Sequence, residues 1–222
     1  MLNFNKVYID PEIYYVENFI SQEEIDIILG STFEWIKTNE DGNGAYAFDE
    51  EELDELKTDG VARRFTGIIK SEEKFWWEVI VKKLRQLLDN ENERYNAVPY
   101  ITKYLPEGDW GLYYHYENHP DCGPIGKYTT KGFTLGLNDG WTGGEIDFKH
   151  KGITFTVKPG TIVVFPASED YTHAVLKSGG GNRIVHSAFV YSNDFYESEI
   201  CPDVFPLDTN NSKSKNITNK DN

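Results

Sequence analysis

The chain of 222 residues reads as α+β and mainly β: a double-stranded β-helix (jelly roll) with N-terminal supporting helices. Three observations predict this. Apolar residues recur at helical spacing in two stretches before residue 97. From there to about residue 192 the period drops to two. Gly, Pro, Asn and Asp clusters then cut that second part into eight short strands, a pattern of packed antiparallel sheets rather than of βαβ units.

The elements follow in order. "EIYYVENFIS" reads as a strand turning into a helix, because Ser21 and Glu24 form a capping box ahead of Ile25, Ile28 and Leu29. Trp35 and Ile36 continue that roughly helical spacing. "NEDGNGAYAFDEEELDELKTDG" is a polar loop with one acidic helical turn; its plain reading is a solvated surface, its sharper one a lid facing the substrate. A second helix starts near Ser71, with Glu72 and Glu73 where the dipole favours them, and buries Phe75, Val79, Leu84, Leu87 and Leu88. The strands are "AVPYITKYL", "WGLYYHYEN", "GFTLGLN", "GEIDFK", "ITFTV", "TIVVFP", "HAVLK" and "RIVHSAFVY", separated by turns such as "PEGD", "NDGWTGG", "KPG" and "KSGGGN". One domain is expected over residues 1–205, with a helical part at 1–96 and the jelly-roll core at 97–192. Residues 206–222 form a polar tail expected to be disordered.

Bulk composition narrows the partners. Hydrophobic residues at 39% and aromatics at 14% support a real core. Acidic residues number 37 against 22 basic, a net charge of −15, and no Lys/Arg stripe carries interleaved aromatics. Nucleic-acid backbone binding is therefore excluded, while a basic substrate suits the field. Cys122 and Cys201 form neither a CxxC pair nor a zinc spacing, which fits a reduced compartment. The N-terminus lacks the pattern of a signal peptide, and no apolar run reaches membrane-spanning length, so the expected location is cytoplasmic without membrane contact.

The chemistry concentrates in "YYHYENHPDCG", residues 113–123, which holds two of the five histidines. It contains two overlapping pairs, His115-x-Glu117 and His119-x-Asp121. On a strand, i and i+2 share a face, so His115, Glu117 and Tyr113 project together. Pro120 cannot donate to a sheet ladder, and "HPDCGPIGK" is rich in breakers, which favours the first pair over the second. A third ligand is open to His150, His173 or His186; His173 begins the strand "HAVLK", at a barrel mouth where sites are built. Two imidazoles and one carboxylate with open positions are typical of non-haem Fe(II) oxygenases. Arg183 stands ten residues beyond His173, on the largely apolar face of the last strand with Val185, Ser187, Phe189 and Tyr191. A lone arginine there calls for an anion, and a metal-bound dicarboxylate would supply it. Each signal alone is weak; their order is specific. His150 and His186 read as surface and strand-packing residues.

With these residues in order, the chain resembles the 2-oxoglutarate and Fe(II)-dependent dioxygenases, in the prolyl 4-hydroxylase-like group. The resemblance runs over roughly residues 12–192, through "IYYVENFISQEEID", "YLPEGDWGLYYHYEN", "LGLNDGWTGGEIDF", "VKPGTIVVF", "HAV" and "GGGNRIVHSAFVY". The family's glycine precedes its metal histidine by about half a dozen residues, and Gly108 stands seven before His115 but eleven before His119. The resemblance implies Fe(II) held by His115, Glu117 and His173, 2-oxoglutarate bound by Arg183, and ascorbate as the candidate reductant, with no catalytic side chain beyond the metal ligands. It implies decarboxylation of 2-oxoglutarate to succinate and CO2 coupled to hydroxylation of an unactivated C–H bond. The substrate implied is a peptidyl proline or another protein side chain, although the fold also serves free amino acids and other small molecules.

Two departures stand out. Glu117 occupies the place of the family's usual aspartate, and Gly136 the place of a phenol that touches 2-oxoglutarate in relatives. Thr134 or Tyr104 is expected to take over that hydrogen bond. Arg63 and Arg64 in "VARRFTG" lie where relatives place a substrate-side arginine, and Tyr113 and Trp141 are expected to line the substrate channel or to pack at its edge. The rival of another class is a non-catalytic cupin-like or lectin-like binding module, which does not need Arg183. A halogenase would carry a small residue in place of Glu117.

Overall fold

The computed structural model describes residues 2–38, 45–48, 64–106, 114–120 and 123–199. Its spine is β15 (Arg183–Ser192), the longest strand among the described residues, in which the side chains alternate between two buried faces. Arg183, Val185 and Ser187 point to one face; His186, Ala188 and Val190 point to the other, as a pleat requires. β15 pairs antiparallel with β8 (Thr129–Gly136) and with β7 (Tyr100–Tyr104), setting Ser187 opposite Thr134 and Arg183 opposite Tyr104. Outward from β8 come β12 (Ile162–Pro166), β2 (Tyr14–Val16) and β1 (Val7–Tyr8). Outward from β7 come β5 (Arg64–Ile69), β3 (Phe33–Thr38) and β4 (Ala45–Phe48). With β6 (Glu93–Tyr95) on the far end of β15, this makes a 10-stranded sheet.

One face of this sheet is covered by helices. α1 (Gln22–Leu29) begins at the Ser21–Glu24 capping box: Ser21 Oγ accepts from the Glu24 amide at 3.2 Å, and Glu24 Oε2 accepts from the Ser21 amide at 2.7 Å. Lys83 on α2 (Val81–Leu88) donates to the same Glu24 carboxylate at 2.7 Å, joining the two helices. Ile25, Ile28, Trp76, Ile80, Leu84 and Leu88 pack with Phe65, Phe133, Leu135 and Val190 into one buried cluster. The opposite face meets a three-stranded sheet of β10 (Ile146–Phe148), β11 (Ile153–Phe155) and β13 (His173–Val175), around Ile13, Phe148, Val163, Phe165 and Tyr171. A two-stranded pair, β9 (Thr142–Gly143) with β14 (Ser178–Gly179), completes the jelly roll.

The N-terminal stretch differs from the helical expectation. Residues 1–96 contribute α1 and α2 but also β1 to β6. Trp35 and Ile36 do not prolong α1, which stops at Gly30; they lie on β3, paired with Gly67 and Thr66. The apolar spacing across Gly30 mimicked a helix by coincidence of phase. The second helix carries a π-helical turn at Trp76–Ile80 before α2. Its wider turn shifts the phase, so Trp76, Ile80 and Val81 are buried while Phe75 and Val79 are only partly so. The expected acidic turn lies outside the described residues, as does the tail at 206–222. Among the described residues no helix is long and apolar enough to cross a membrane.

Candidate metal centre

Within residues 114–120, one residue makes a β-bridge, and it is His115. Its amide donates to the His173 carbonyl at 3.0 Å, and the His173 amide returns a bond to the His115 carbonyl at 2.9 Å. Residues that exchange both bonds project to the same side of a sheet, so the two imidazoles stand together with ring centroids 4.7 Å apart. Glu117 is in a turn rather than on a strand, with the following amide of Asn118 held by the Ala167 carbonyl at 3.1 Å. Its Oε1 comes 3.5 Å from His115 Nε2 and 3.4 Å from His173 Nε2. One ligand atom from each of the three lies within 4.8 Å of the others. Two imidazole nitrogens and one carboxylate oxygen in this arrangement suit Fe(II).

The surroundings fix how each donor is presented. His173 Nδ1 lies 3.0 Å from the Tyr171 carbonyl, which can only accept, so Nδ1 carries a proton and Nε2 is turned towards Glu117. The rings of Phe165 and Phe148 flank this imidazole at 4.5 and 5.6 Å. Burial alone would raise the Glu117 carboxyl, but hydrogen bonds and charge from His115 and His173 outweigh it and hold its pKa at about 2. A Cβ added at Gly132 would lie 3.4 Å from Glu117 Cγ and 2.6 Å from the Phe165 ring, so a bare backbone leaves room for the longer carboxylate. Tyr114 Oη donates to Asp147 Oδ2 at 2.6 Å, tying the residue before His115 to β10. His119 stacks edge-on against Tyr116 at 4.8 Å, and Asp121 lies outside the described residues.

A second group lies on the face of the large sheet that meets the three-stranded sheet. Arg183 is 1% exposed, with its guanidinium 5.0 Å from the Tyr104 ring and 5.6 Å from the Trp141 ring. Trp141, expected to line the substrate channel or to pack at its edge, stands here because its indole N–H donates to the Asn138 carbonyl at 3.1 Å, while Asn138 Oδ1 accepts from the Ile184 amide at 2.7 Å. Gly144, with φ of +68°, brings its backbone so near that an added Cβ would lie 2.8 Å from Arg183 Cδ. Thr134 Oγ1 and Ser187 Oγ share a hydrogen bond at 3.0 Å. Thr102, across from Val185, is 1% exposed and its Oγ1 has no hydrogen-bond partner among the described residues. Gly136 leaves no space for a phenol, since a Cβ there would sit 2.3 Å from the Lys158 carbonyl oxygen.

Arg64 begins β5 directly opposite Tyr104 in register. Arg63 and Tyr113 lie outside the described residues. His150 is exposed, and His186 is buried on the helix-covered face. Sequence reasoning did not single out Thr102, Tyr171 or Gly144. Thr102 was within reach, since it precedes Tyr104 by two on a strand and must share its face; Tyr171 and Gly144 act through contacts with no periodic signature.

No protein-family model matches the chain, and no curated protein sequence does so. Solved structures do resemble it. A viral collagen prolyl hydroxylase of Paramecium Bursaria Chlorella virus-1, in its 2OG complex, matches at TM-score 0.46 and 16% identity, over 81% of this chain and 95% of that one. A Pseudomonas putida prolyl-4-hydroxylase matches at TM-score 0.47 and 17% identity, over 81% and 92%. An oxidoreductase of the 2OG-Fe(II) oxygenase family from Burkholderia pseudomallei matches at TM-score 0.51 and 10% identity, over 81% and 85%. This last likeness shows the fold: the chain has the jelly-roll architecture of that oxygenase.

Proposed function

We propose that the protein is an Fe(II)- and 2-oxoglutarate-dependent dioxygenase that hydroxylates a peptidyl proline or another protein side chain, releasing succinate and CO2. The observation that carries the reading is the convergence of His115, Glu117 and His173 within 4.8 Å at the three-stranded sheet, which packs against the face of the large sheet that buries Arg183. Fe(II) bound there, with 2-oxoglutarate and dioxygen, supplies the oxidising chemistry. The chain's own part is placement. The His115–His173 bridge fixes two imidazoles, and Glu117 adds the negative charge that favours a cation. Arg183, held between Tyr104 and Trp141, offers a guanidinium fork to the distal carboxylate of 2-oxoglutarate. The hydroxyls of Thr134, Ser187 and Thr102 on the adjoining inner face, and that of Tyr104, replace the phenol that Gly136 cannot carry. Phe148, Phe165 and Val163 keep water from the centre. Arg63, Arg64 and Tyr113 are assigned to the substrate side, and ascorbate to the reductant.

The test is direct. Purified protein with Fe(II) and 2-oxoglutarate is expected to release succinate slowly without substrate, and Arg183→Leu to suppress that release. No iron retention and no succinate would return the protein to the binding-module reading. Hydroxylated residues compared by mass spectrometry in proteins from cells with and without this chain test the substrate. Modified peptides support the proposal, and an unchanged proteome with an altered small-molecule pool favours a free amino acid or similar substrate.

A further inference from the structure

Tyr171 closes the short turn Glu169–Tyr171, two residues before His173, and is 5% exposed within the apolar cluster behind the metal centre. Its two ends make different bonds. The main-chain carbonyl accepts from His173 Nδ1 at 3.0 Å. The phenol points away from the centre and donates to Glu12 Oε2 at 2.6 Å, with Asp10 Oδ1 at 3.3 Å. Lys151 Nζ sits 4.2 Å over the same ring and 3.9 Å from Asp10 Oδ2. The carboxylates belong to a tight N-terminal turn, in which the Ile9 amide donates to the Ile13 carbonyl at 3.0 Å and the Glu12 amide to Asp10 Oδ1 at 3.1 Å. Ile13, fully buried, plants that turn in the same cluster.

We infer that Tyr171 is a positioning residue for the metal centre, and that the Asp10–Ile13 turn anchors it. The inference rests on reading His173 as a metal ligand. Apolar packing does not ask for the hydroxyl, since phenylalanine would fill the same space in the cluster. What the hydroxyl adds is a fixed outer end. With the ring wedged and its far end bonded, the Tyr171 peptide cannot swing, and its carbonyl holds the His173 ring in one tautomer and one orientation. Metal centres demand such placement to within about 0.5 Å, and outer partners of a ligating histidine are worth about 10–100-fold in metal affinity.

The experiment titrates the full chain with Co(II), followed by its visible absorption, beside the melting temperature of the metal-free protein. Tyr171→Phe and Glu12→Gln are compared with Phe155→Leu, a substitution at the edge of the same cluster. The expected result is a Kd raised about tenfold in the first two. The double variant should be no weaker than Tyr171→Phe alone, because both cut one thread. Phe155→Leu should keep the parental Kd even where its melting temperature falls as far. A Kd within twofold of the parent in both Tyr171→Phe and Glu12→Gln would overturn the inference, as would a Kd that tracks melting temperature across all variants. Should Tyr171→Phe fail to fold, exposed Glu12→Gln decides alone. A parent chain that binds no Co(II) sinks the metal reading itself; a parent that binds and variants that bind equally sink this inference only.

Discussion

His173 and His186 are both buried, at 5% and 0% exposure, and they stand on opposite sides of the large sheet. Around His186 every polar atom of the ring is spent: Nδ1 donates to the Tyr100 carbonyl at 2.8 Å, and Tyr95 Oη donates to Nε2 at 2.9 Å. Trp76, Phe133 and Tyr100 enclose it edge-on at 4.8 to 5.4 Å. His173 also spends Nδ1 on a carbonyl, but its Nε2 faces a carboxylate and a second imidazole. Burial therefore does not distinguish a ligand from a packing residue. The second nitrogen does separate the two: that of His186 is closed off by Tyr95, whereas that of His173 points at Glu117 and His115, the other members of the candidate site.

Variants on the two sides should separate binding from stability. The largest effect is expected from His173→Ala or His115→Ala, with Co(II) affinity falling by more than about 100-fold, beyond the range of outer partners. His119→Ala should leave that affinity unchanged, and a reversal of this result would move the site to His119 and Asp121. On the other side, Trp76→Ala should cost about 4 kcal/mol in urea unfolding while the remaining folded protein binds metal normally.

Next comes pH. Burial lowers the His186 pKa from 6.5 to about 4, against the opposing effect of the hydrogen bond it donates to the Tyr100 carbonyl. The unfolded chain then takes up the proton first, so stability present above pH 6.5 is lost as pH falls towards 4, by about 3 kcal/mol. His186→Gln should flatten that slope in chemical denaturation across the same range. Arg183→Leu should raise the KM for 2-oxoglutarate about 50-fold, the loss of a charge-assisted contact, without lowering the unfolding midpoint. Smallest is Ser21→Ala, about 1 kcal/mol of stability from the lost helix cap and no change in metal affinity.

The contrast also explains what the sequence disclosed. The inner strands are short apolar runs bounded by turn residues, so β7, β8, β12 and β15 were legible, and the inward place of Arg183 followed from its phase with Val185. The ordering of His115, Glu117, His173 and Arg183 was legible for the same reason. Glu117 reaches the group by another route than expected, from a turn after a single bridge rather than along a strand. β3 and β5 were missed because their pairing, Trp35 with Gly67 and Phe33 with Ile69, is a relation between distant segments that no local window contains. The π-helical turn broke the helical phase, which hid Trp76 and Ile80. Nothing local in the sequence reveals that Asn138 latches the Trp141 loop to Ile184.

The paired amides of His115 and His173 have a thermodynamic consequence. The two imidazoles are neighbours only after the sheets have closed, so the unfolded chain has no comparable chelate to offer. Binding that favours the native state alone shifts the folding equilibrium by mass action, about 2.7 kcal/mol at a hundredfold excess of metal over its Kd. On the function proposed above, iron supply would thus set the folded fraction of the protein as well as its activity, and a chelator would lower both.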